Sequence, residues 1–269
     1  MSAYKSEFLN VLATRGFIHQ VSEPDALDQL AASKSITAYI GFDCTAASLH
    51  IGTLLPIMML HWMQQTGHKP IALMGGGTTR VGDPSGKDES RKILTDADIA
   101  TNLAGIRTVF TKFLTFGEGK TDALMLNNND WLAPLNYIDF LRDVGKHFTV
   151  NQMIAKESVK SRLDRDDVGL SFTEFSYMLL QAFDFYVLCR DHQCELQIGG
   201  SDQWGNIVAG LDLIRKVEGG SGHALTIPLI TKSDGSKFGK TAGGSVWLDS
   251  EMTSPYAFYQ FWIGVDDSD

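Results

Sequence analysis

The amino-acid sequence predicts an α/β fold in which a parallel β-sheet carries helices on both of its faces. Two observations lead to this prediction. Short apolar runs of strand length alternate along the chain with longer segments of helical periodicity. Polar, glycine-rich stretches follow several of the short runs, and in parallel sheets ligands bind beyond the carboxyl ends of the strands. Functional side chains are therefore expected at those ends.

The strand prediction rests on apolar runs that stop at turn-forming residues. ITAYIGF, for example, is rich in β-branched and aromatic residues and ends at a turn. Runs this uniformly apolar are typical of strands that are buried on both faces. The segments that qualify are Ile36–Phe42, Pro70–Gly75, Ala123–Leu126, Glu195–Gly199 and Leu225–Thr231.

Apolar side chains spaced three or four residues apart predict the helices. Gly67 supplies a stop for the helix that begins near His50. Thr95 and Asp98 form a capping pair, and Ser254 followed by Pro255 marks another helix start. The predicted helices are a short one around Phe8–Leu12, His50 to about Gln65, Ile99–Phe113, Leu135–Val144, Val150–Leu163, Phe172–Phe185, Trp204–Ile214 and one from Ser254.

Composition limits the classes of function. The formal net charge of −9 repels nucleic acid at long range, which argues against a general DNA- or RNA-binding module but leaves room for a local contact with one RNA. No stretch reaches the ~20 apolar residues of a membrane span, and the N-terminus has no signal-peptide core. Cys44, Cys189 and Cys194 follow no zinc or redox spacing. We therefore expect no metal site and a reducing compartment, most simply the cytoplasm.

The segment SLHIGT, Ser48–Thr53, follows the first predicted strand. His50 and Gly52 lie in the first turn of a helix, where free backbone N–H groups favour an anion. A histidine at this place can donate to phosphate oxygens, and a glycine lets a flat ring approach the backbone. For this motif alone, a histidine that only caps the helix is the alternative.

KFGKT, Lys237–Thr241, is a second candidate for phosphate binding, within a polar stretch rich in glycine and serine. Lys237 and Lys240 can close over a polyphosphate as mobile positive charges. The alternative is a solvated surface loop.

Tyr177, Gln181 and Asp184 are spaced i, i+4 and i+7, so they share one face of a predicted helix. The other positions leave little room for a solvent face, so this polar stripe is predicted to face a polar ligand; an exposed face is the alternative. Asp202 follows a strand that ends in two glycines. A carboxylate at that place meets a ribose hydroxyl, caps a helix, or does both.

Together these segments resemble a class I aminoacyl-tRNA synthetase. HIGT is similar to the HIGH box of that family and KFGKT to its KMSKS box, in the same order. YIGFDCTAASLHIG, GDPSGK, FLRDVGKHF, SFTEFSYMLLQAFD and QIGGSDQWGN resemble the signature blocks of the tyrosyl enzymes of bacteria, over essentially the whole chain. The resemblance implies one Rossmann-like catalytic domain over residues 1–269. It also implies an inserted helical dimerisation segment at about 130–175, with Phe172 at the interface.

The resemblance further implies roles for individual residues. The tyrosine phenol would bond to Tyr39 and Asp184, the ammonium group to Asp83, Tyr177 and Gln181, and the carboxylate would lie near Gln203. ATP would meet Asp43, Thr45, His50, Gly52 and Thr53, with Gly200 and Asp202 at the ribose and Lys237, Lys240 and Thr241 at the pyrophosphate. The implied catalytic set is Thr45, His50, Lys237 and Lys240.

The implied reaction joins L-tyrosine to ATP, with Mg²⁺, to give tyrosyl-adenylate and pyrophosphate, and then transfers tyrosine to tRNA(Tyr). The tyrosine carboxylate is already a competent nucleophile, so positioning and charge stabilisation should carry catalysis without a general base. A homodimer is implied, with no tightly bound cofactor and no membrane or DNA partner.

Three features depart from the family pattern. Thr53 replaces the second histidine of the HIGH box and is expected still to donate one hydrogen bond, and Cys44 sits where proline is frequent. The anticodon-binding domains of the family are expected to be absent from this chain, which would impair transfer to tRNA. Two alternatives stay open: a degenerate synthetase-like module that binds ligand without turnover, and a tryptophanyl enzyme. An indole pocket, however, does not need both Tyr39 and Asp184.

Overall fold

The computed structural model describes residues 4–83, 94–156, 159–160, 163, 169–229, 240–241 and 244–265. Within those residues the main sheet consists of β1 Gln20–Val21, β2 Thr37–Phe42, β3 Lys69–Met74, β4 Leu124–Asn127, β5 Cys194–Gly200 and β6 His223–Ile227. The strands lie in the order β1-β6-β5-β2-β3-β4. β7 Lys240–Thr241 and β8 Gly244–Ser245 form a separate antiparallel pair.

Parallel pairing dominates the main sheet, as predicted. β2 pairs in parallel with β3 and β5, β3 with β4, and β5 with β6. Every predicted strand forms; the last one ends at Ile227, where Pro228 has no N–H to continue the ladder, and the predicted Ile230 and Thr231 lie outside the described residues. The two-residue strand β1 was not predicted, and it pairs antiparallel with β6. The sheet is therefore parallel-dominant and not purely parallel.

The helices of the described residues cover the predicted ones and add others. They are α1 Glu7–Thr14, α2 Pro24–Ser33, α3 Leu54–Gln65, α4 Asp96–Phe110, α5 Asn129–Leu132, α6 Tyr137–Asp143, α7 Val150–Ile154, α8 Phe172–His192, α9 Trp204–Glu218 and α10 Pro255–Ile263. Short 3₁₀ turns at Ile51–Thr53 and Ser201–Gln203 lead into α3 and α9. Helix α2 was not predicted because it buries few apolar side chains, chiefly Leu27 and Ala31.

Capping side chains set several helix starts. Thr95 and Asp98 form the predicted capping box of α4, in which each side chain bonds to the other residue's backbone N–H. Ser254 caps α10 ahead of Pro255, as the sequence predicts.

Several helix ends differ from the prediction, and the largest differences are at α7 and α8. Helix α8 continues well past Phe185 to His192, where Gln193 stops it in the left-handed conformation with φ of 53°. Helix α7 stops at Ile154, and Ala155 and Lys156 turn before the chain is helical again at Val159, Lys160 and Leu163, so the predicted helix Val150–Leu163 is interrupted. This turn allows Met153 and Val159 to be buried in the same small core.

The sheet separates two cores because alternate strand residues face opposite sides. Ala38, Ile40 and Ala72 face the core that α1, α3 and α4 cover. Tyr39 and Ile71 face the opposite side, where Phe185 and Leu188 of α8 and Ile214 of α9 complete the packing. Helices therefore lie on both faces, as predicted for an α/β fold.

Between β4 and α8 the chain forms α5, α6 and α7, the helical segment expected near residues 130–175. This segment and the start of α8 expose large apolar side chains, namely Tyr137, Ile138, Leu141, Val150, Ile154, Leu163 and Phe172. None of the helices formed by the described residues combines the length and the apolar character that crossing a bilayer requires.

Candidate active site

A cavity of about 380 Å³ opens at the carboxyl ends of β2, β3 and β5. Its wall combines the end of β2 and the loop after it, one face of α8, and the turn between β5 and α9. Parallel strands end together at this edge of the sheet, so side chains distant in sequence converge there. The predicted site residues that line it are Tyr39, Asp43, Thr45, His50, Thr53, Asp83, Tyr177, Gln181, Asp184, Gly200, Asp202 and Gln203.

Four other predicted site residues are not placed in this wall. Lys237 lies outside the described residues, and of Lys240 and Thr241 only the backbone is described, in β7. Gly52 does not line the cavity. The roles of these four residues stay predictions, as do those of the residues that line the cavity.

The Asp184 carboxylate forms the centre of the buried inner end of the cavity and is 3% exposed. Nδ2 of Asn128 donates to its Oδ2 at 2.9 Å, and Nε1 of Trp131 donates to its Oδ1 at 2.7 Å. Burial raises the pKa of Asp184 to about 7, although both hydrogen bonds oppose the shift; the Asp43 carboxylate adds to it. The carboxylate is thus held in one orientation and titrates near neutral pH.

Tyr39 and Gln197 are neighbours on β2 and β5 and lie beside this carboxylate in the cavity wall. The Tyr39 hydroxyl and Oε1 of Gln197 are both buried without a hydrogen-bond partner among the described residues. Burial, with the Asp184 carboxylate, raises the pKa of Tyr39 well above its ordinary value, so its hydroxyl stays protonated. Unpaired buried polar atoms around a cavity are the expected signature of a polar ligand.

The polar stripe of α8 faces the cavity, as its spacing predicts. Tyr177 and Asp184 are buried, Gln181 is half-buried, and all three line the wall. Oε1 of Gln181 has no partner within the part of the chain that the structure describes. The exposed-face alternative for this stripe is therefore wrong.

Asp83 and Gln203 meet although they are far apart in sequence. Nε2 of Gln203 donates to Oδ2 of Asp83 at 2.8 Å, and Nδ2 of Asn206 donates to Oε1 of Gln203 at 3.2 Å. The amide of Gln203 is thus oriented by a carboxylate on one side and by the first turn of α9 on the other.

His50 caps a helix and lines the cavity at the same time. The Gly52 N–H donates to Nδ1 of His50 at 3.0 Å, so Nδ1 is an acceptor and the neutral ring carries its hydrogen on Nε2. The Trp247 ring packs edge-on against His50 with ring centroids 6.2 Å apart, and it also lines the cavity. The capping and the phosphate-donor interpretations are therefore compatible.

Thr53 differs from the expectation that its hydroxyl can donate to a ligand. Oγ1 of Thr53 donates to the His50 carbonyl oxygen at 2.6 Å. A hydroxyl has a single hydrogen, so in this arrangement Thr53 can only accept from a ligand.

Four residues of this region were not predicted from the sequence: Asn128, Trp131, Gln197 and Trp247. A signal existed for the first, because Asn128 lies two residues after the third predicted strand, at the edge where functional side chains were expected. Nothing in the spacing of the other three indicated a role.

The described residues hold no group of three or more His, Cys, Asp or Glu side chains that could hold a metal ion. The three cysteines are free thiols. Burial raises the pKa of Cys44 to about 12, with a further contribution from the Asp43 carboxylate, so this thiol is not an activated nucleophile.

A family model described as tRNA synthetases class I (W and Y) matches residues 31–269. The tyrosine–tRNA ligase of Rhodopseudomonas palustris is 59% identical over 269 residues, which is 100% of this chain and 64% of that protein. The tyrosine–tRNA ligase of a Caulobacter species (strain K31) is 58% identical, with the same coverage of both chains. The chain thus spans 64% of the length of these curated relatives.

Solved structures extend the comparison. A C-terminally truncated mitochondrial tyrosyl-tRNA synthetase of Aspergillus nidulans superposes with a TM-score of 0.84 at 32% identity, over 97% of this chain and 76% of that one. A tryptophanyl-tRNA synthetase of Plasmodium falciparum has a TM-score of 0.60 at 14% identity, over 84% of this chain and 62% of that one, which is a likeness of fold alone.

Proposed function

Because the chain belongs to the class I tRNA synthetases, in the group of the tryptophanyl and tyrosyl enzymes, we propose that it activates L-tyrosine with ATP. The product would be tyrosyl-adenylate, with release of pyrophosphate. Relatives at 58–59% identity are named tyrosine–tRNA ligases, which supports the choice of amino acid.

The observation that carries this proposal is the chemistry of the inner end. Tyr39, Asp184 and Gln197 are 1%, 3% and 3% exposed, and they face one cavity among apolar neighbours. A phenol there can donate to the Asp184 carboxylate and accept from the Tyr39 hydroxyl. Phenylalanine would leave these buried polar groups unpaired, which costs roughly 1–3 kcal/mol for each group.

The middle of the cavity suits the amino-acid head group. Tyr177, Gln181 and Asp83 supply acceptors for an ammonium group, as the resemblance implies. Gln203, oriented by Asp83, lies near the expected position of the carboxylate. With the phenol inside and the head group outward, the carboxylate of tyrosine points towards the outer end.

At the outer end, ATP would enter as its Mg²⁺ complex, which is a substrate and not a resident cofactor. A carboxylate oxygen of tyrosine forms a bond to the α-phosphorus while the bond to the pyrophosphate oxygen breaks, and pyrophosphate leaves with that electron pair. Thr45 and His50, with Lys237 and Lys240, would stabilise the charge that develops. Asp43, Thr53, Gly200, Asp202 and Thr241 complete the proposed ATP contacts, with Gly52 acting through His50.

The proposal also covers the transfer step, the cellular location and the assembly of the protein. Tyrosine would then pass to tRNA(Tyr), and residues 1–269 would act as the catalytic domain of a cytoplasmic protein. The apolar side chains exposed near residues 130–175, including Ile138 and Phe172 at 67% each, support a homodimer through this segment. No charge or composition feature favours a DNA or membrane partner.

Tyrosine-dependent exchange of labelled pyrophosphate into ATP tests the proposal without any tRNA. Phenylalanine and tryptophan serve as matched controls, because they probe the phenol and the tryptophanyl alternative in the same assay. We expect exchange with tyrosine only.

Two results would contradict the proposed function. Exchange that prefers tryptophan would establish the tryptophanyl alternative. A folded chain that binds tyrosine in calorimetry but catalyses no exchange would establish the binding-module alternative, with Thr53 as the first residue to restore to histidine.

A further inference from the structure

Helix α4 holds the β2–α3 loop (residues 43–50) from outside the cavity. Nδ2 of Asn102 donates to the Cys44 carbonyl oxygen at 2.8 Å. The Cys44 N–H in turn donates to Oγ1 of Thr79 at 2.9 Å. The backbone of Cys44 is therefore held from two sides, although Asn102 does not line the cavity.

Gly105, one turn further along α4, makes a second contact with this loop. A Cβ atom at this position would lie 1.9 Å from the Ala47 carbonyl oxygen and 2.9 Å from its carbonyl carbon. Because that neighbour is backbone, no side-chain rotation can relieve the overlap. Gly105 does not have a positive φ, so the close approach, and not the backbone conformation, requires glycine here.

The two contacts flank Thr45 and lie shortly before His50, two of the side chains that are proposed to face the nucleotide. Thr45 lies between Cys44 and Ala47, and His50 follows three residues later; both line the outer end of the cavity. Thr45 is exposed, so packing of its own side chain does not fix it. Its position depends on the backbone that α4 holds.

We propose that Asn102 and Gly105 are positioning residues that set Thr45 and His50 for attack on the α-phosphate. The inference rests on the proposed function, and it adds residues that touch no substrate. A displacement of about 1 Å at a reacting centre lowers a rate by roughly 10²-fold, so a small shift of this loop is enough to be measured.

Gly105→Ala is the sharper test because a positioning role and a role as an ordinary helix residue predict different results. Alanine is a better helix former than glycine, so a glycine without a contact role would be replaced with unchanged or higher stability and unchanged kcat. We expect kcat in tyrosine-dependent pyrophosphate exchange to fall about tenfold or more. The Kd for tyrosine, measured by calorimetry, should stay within about twofold of that of the unaltered chain, because Gly105 of α4 does not contact the inner end of the cavity.

Asn102→Ala tests the other contact by removing one hydrogen bond. We expect a fall of kcat of about tenfold, unchanged tyrosine binding, and faster amide hydrogen exchange in residues 43–50. Thr101→Ala is the matched control, because Thr101 lies on the exposed face of α4 and, among the described residues, its hydroxyl donates to the Ala97 carbonyl oxygen and to nothing else. This control should match the unaltered chain in kcat and in hydrogen exchange.

The outcomes separate the two proposals. An unaltered chain without tyrosine-dependent exchange overturns the proposed function and this inference with it. An active chain whose Asn102→Ala and Gly105→Ala variants keep their kcat overturns the inference alone. Equal losses of kcat and tyrosine affinity in both variants would also overturn it, because they would indicate a general structural role.

Discussion

The two ends of the cavity are built in different ways. At the inner end, Asp184 is buried and receives hydrogen bonds from Asn128 and Trp131, so its geometry is fixed before any ligand arrives. At the outer end, Thr45 and Asp202 are exposed, on segments that join strands to helices.

This difference indicates a division of labour. A buried, pre-oriented polar site discriminates between ligands, because a ligand without the matching group leaves polar atoms unpaired. An exposed loop must bind and release a charged nucleotide, and it acts on the transition state through a few donors. The comparison therefore predicts that inner-end variants change selectivity, whereas outer-end variants change kcat.

The largest effect is expected from Asp184→Ala at the inner end. The change removes the acceptor of the phenol and leaves the donors of Asn128 and Trp131 unpaired, so we expect kcat/KM for tyrosine exchange to fall by about 10³-fold. The preference for tyrosine over phenylalanine should collapse. Asp191→Ala, on the exposed surface of the same helix, is the control, since its ion pair with Arg190 is a surface pair. A retained preference in the Asp184 variant would refute the inner-end assignment.

His50→Ala should have the next largest effect, and of a different kind. Loss of one donor to the developing phosphate charge lowers kcat by roughly 10²-fold. Tyrosine affinity, measured by calorimetry, should be unchanged. His192→Ala provides a control, because His192 ends α8 and does not line the cavity. A His50 variant with weakened tyrosine binding and unchanged kcat would break the proposed division.

Burial of Asp184 should make the stability of the ligand-free protein depend on pH. Its pKa is about 7 in the folded chain, against an ordinary value of 3.8, so the folded state keeps a proton that the unfolded state loses between these values. Stability from this group is therefore greatest at low pH and falls as pH rises towards 7. Relative to Asp184→Asn, the free energy of unfolding should fall by about 2 kcal/mol between pH 5 and pH 7 and then level off.

Urea unfolding of both proteins at several pH values measures this difference. The asparagine variant cannot titrate, so it removes the contribution of all other groups. A difference that does not change with pH would show that Asp184 is ionised over the whole range.

The sequence predicted what depends on local periodicity. Apolar runs located the strands, and the spacing of Tyr177, Gln181 and Asp184 located one wall of the cavity. Helix ends were predicted less well. Helix α8, for example, stops at a left-handed residue that is glutamine, Gln193, and not the glycine that usually marks such an end.

Features that depend on contacts between distant segments could not be predicted. The bonds from Asn128 and Trp131 to Asp184 span 56 and 53 residues. From the sequence, Gly105 is only a residue of low helix propensity; the close approach of Ala47, which requires glycine there, is seen only in the structure. Each of these roles comes from the crossing of elements, which periodicity does not describe.

Gln197 offers the smallest and most selective test of the inner end. It is the cross-strand neighbour of Tyr39, and its buried Oε1 lacks a partner among the described residues. Gln197→Met keeps a similar length and removes the amide. If that amide bonds to the phenol, kcat/KM for tyrosine should fall about tenfold, while the value for phenylalanine stays the same or rises slightly. Gln65→Met, at an exposed position of α3, should change neither value. Equal losses for tyrosine and phenylalanine would mean that Gln197 only fills space, and the phenol would then be recognised by Tyr39 and Asp184 alone.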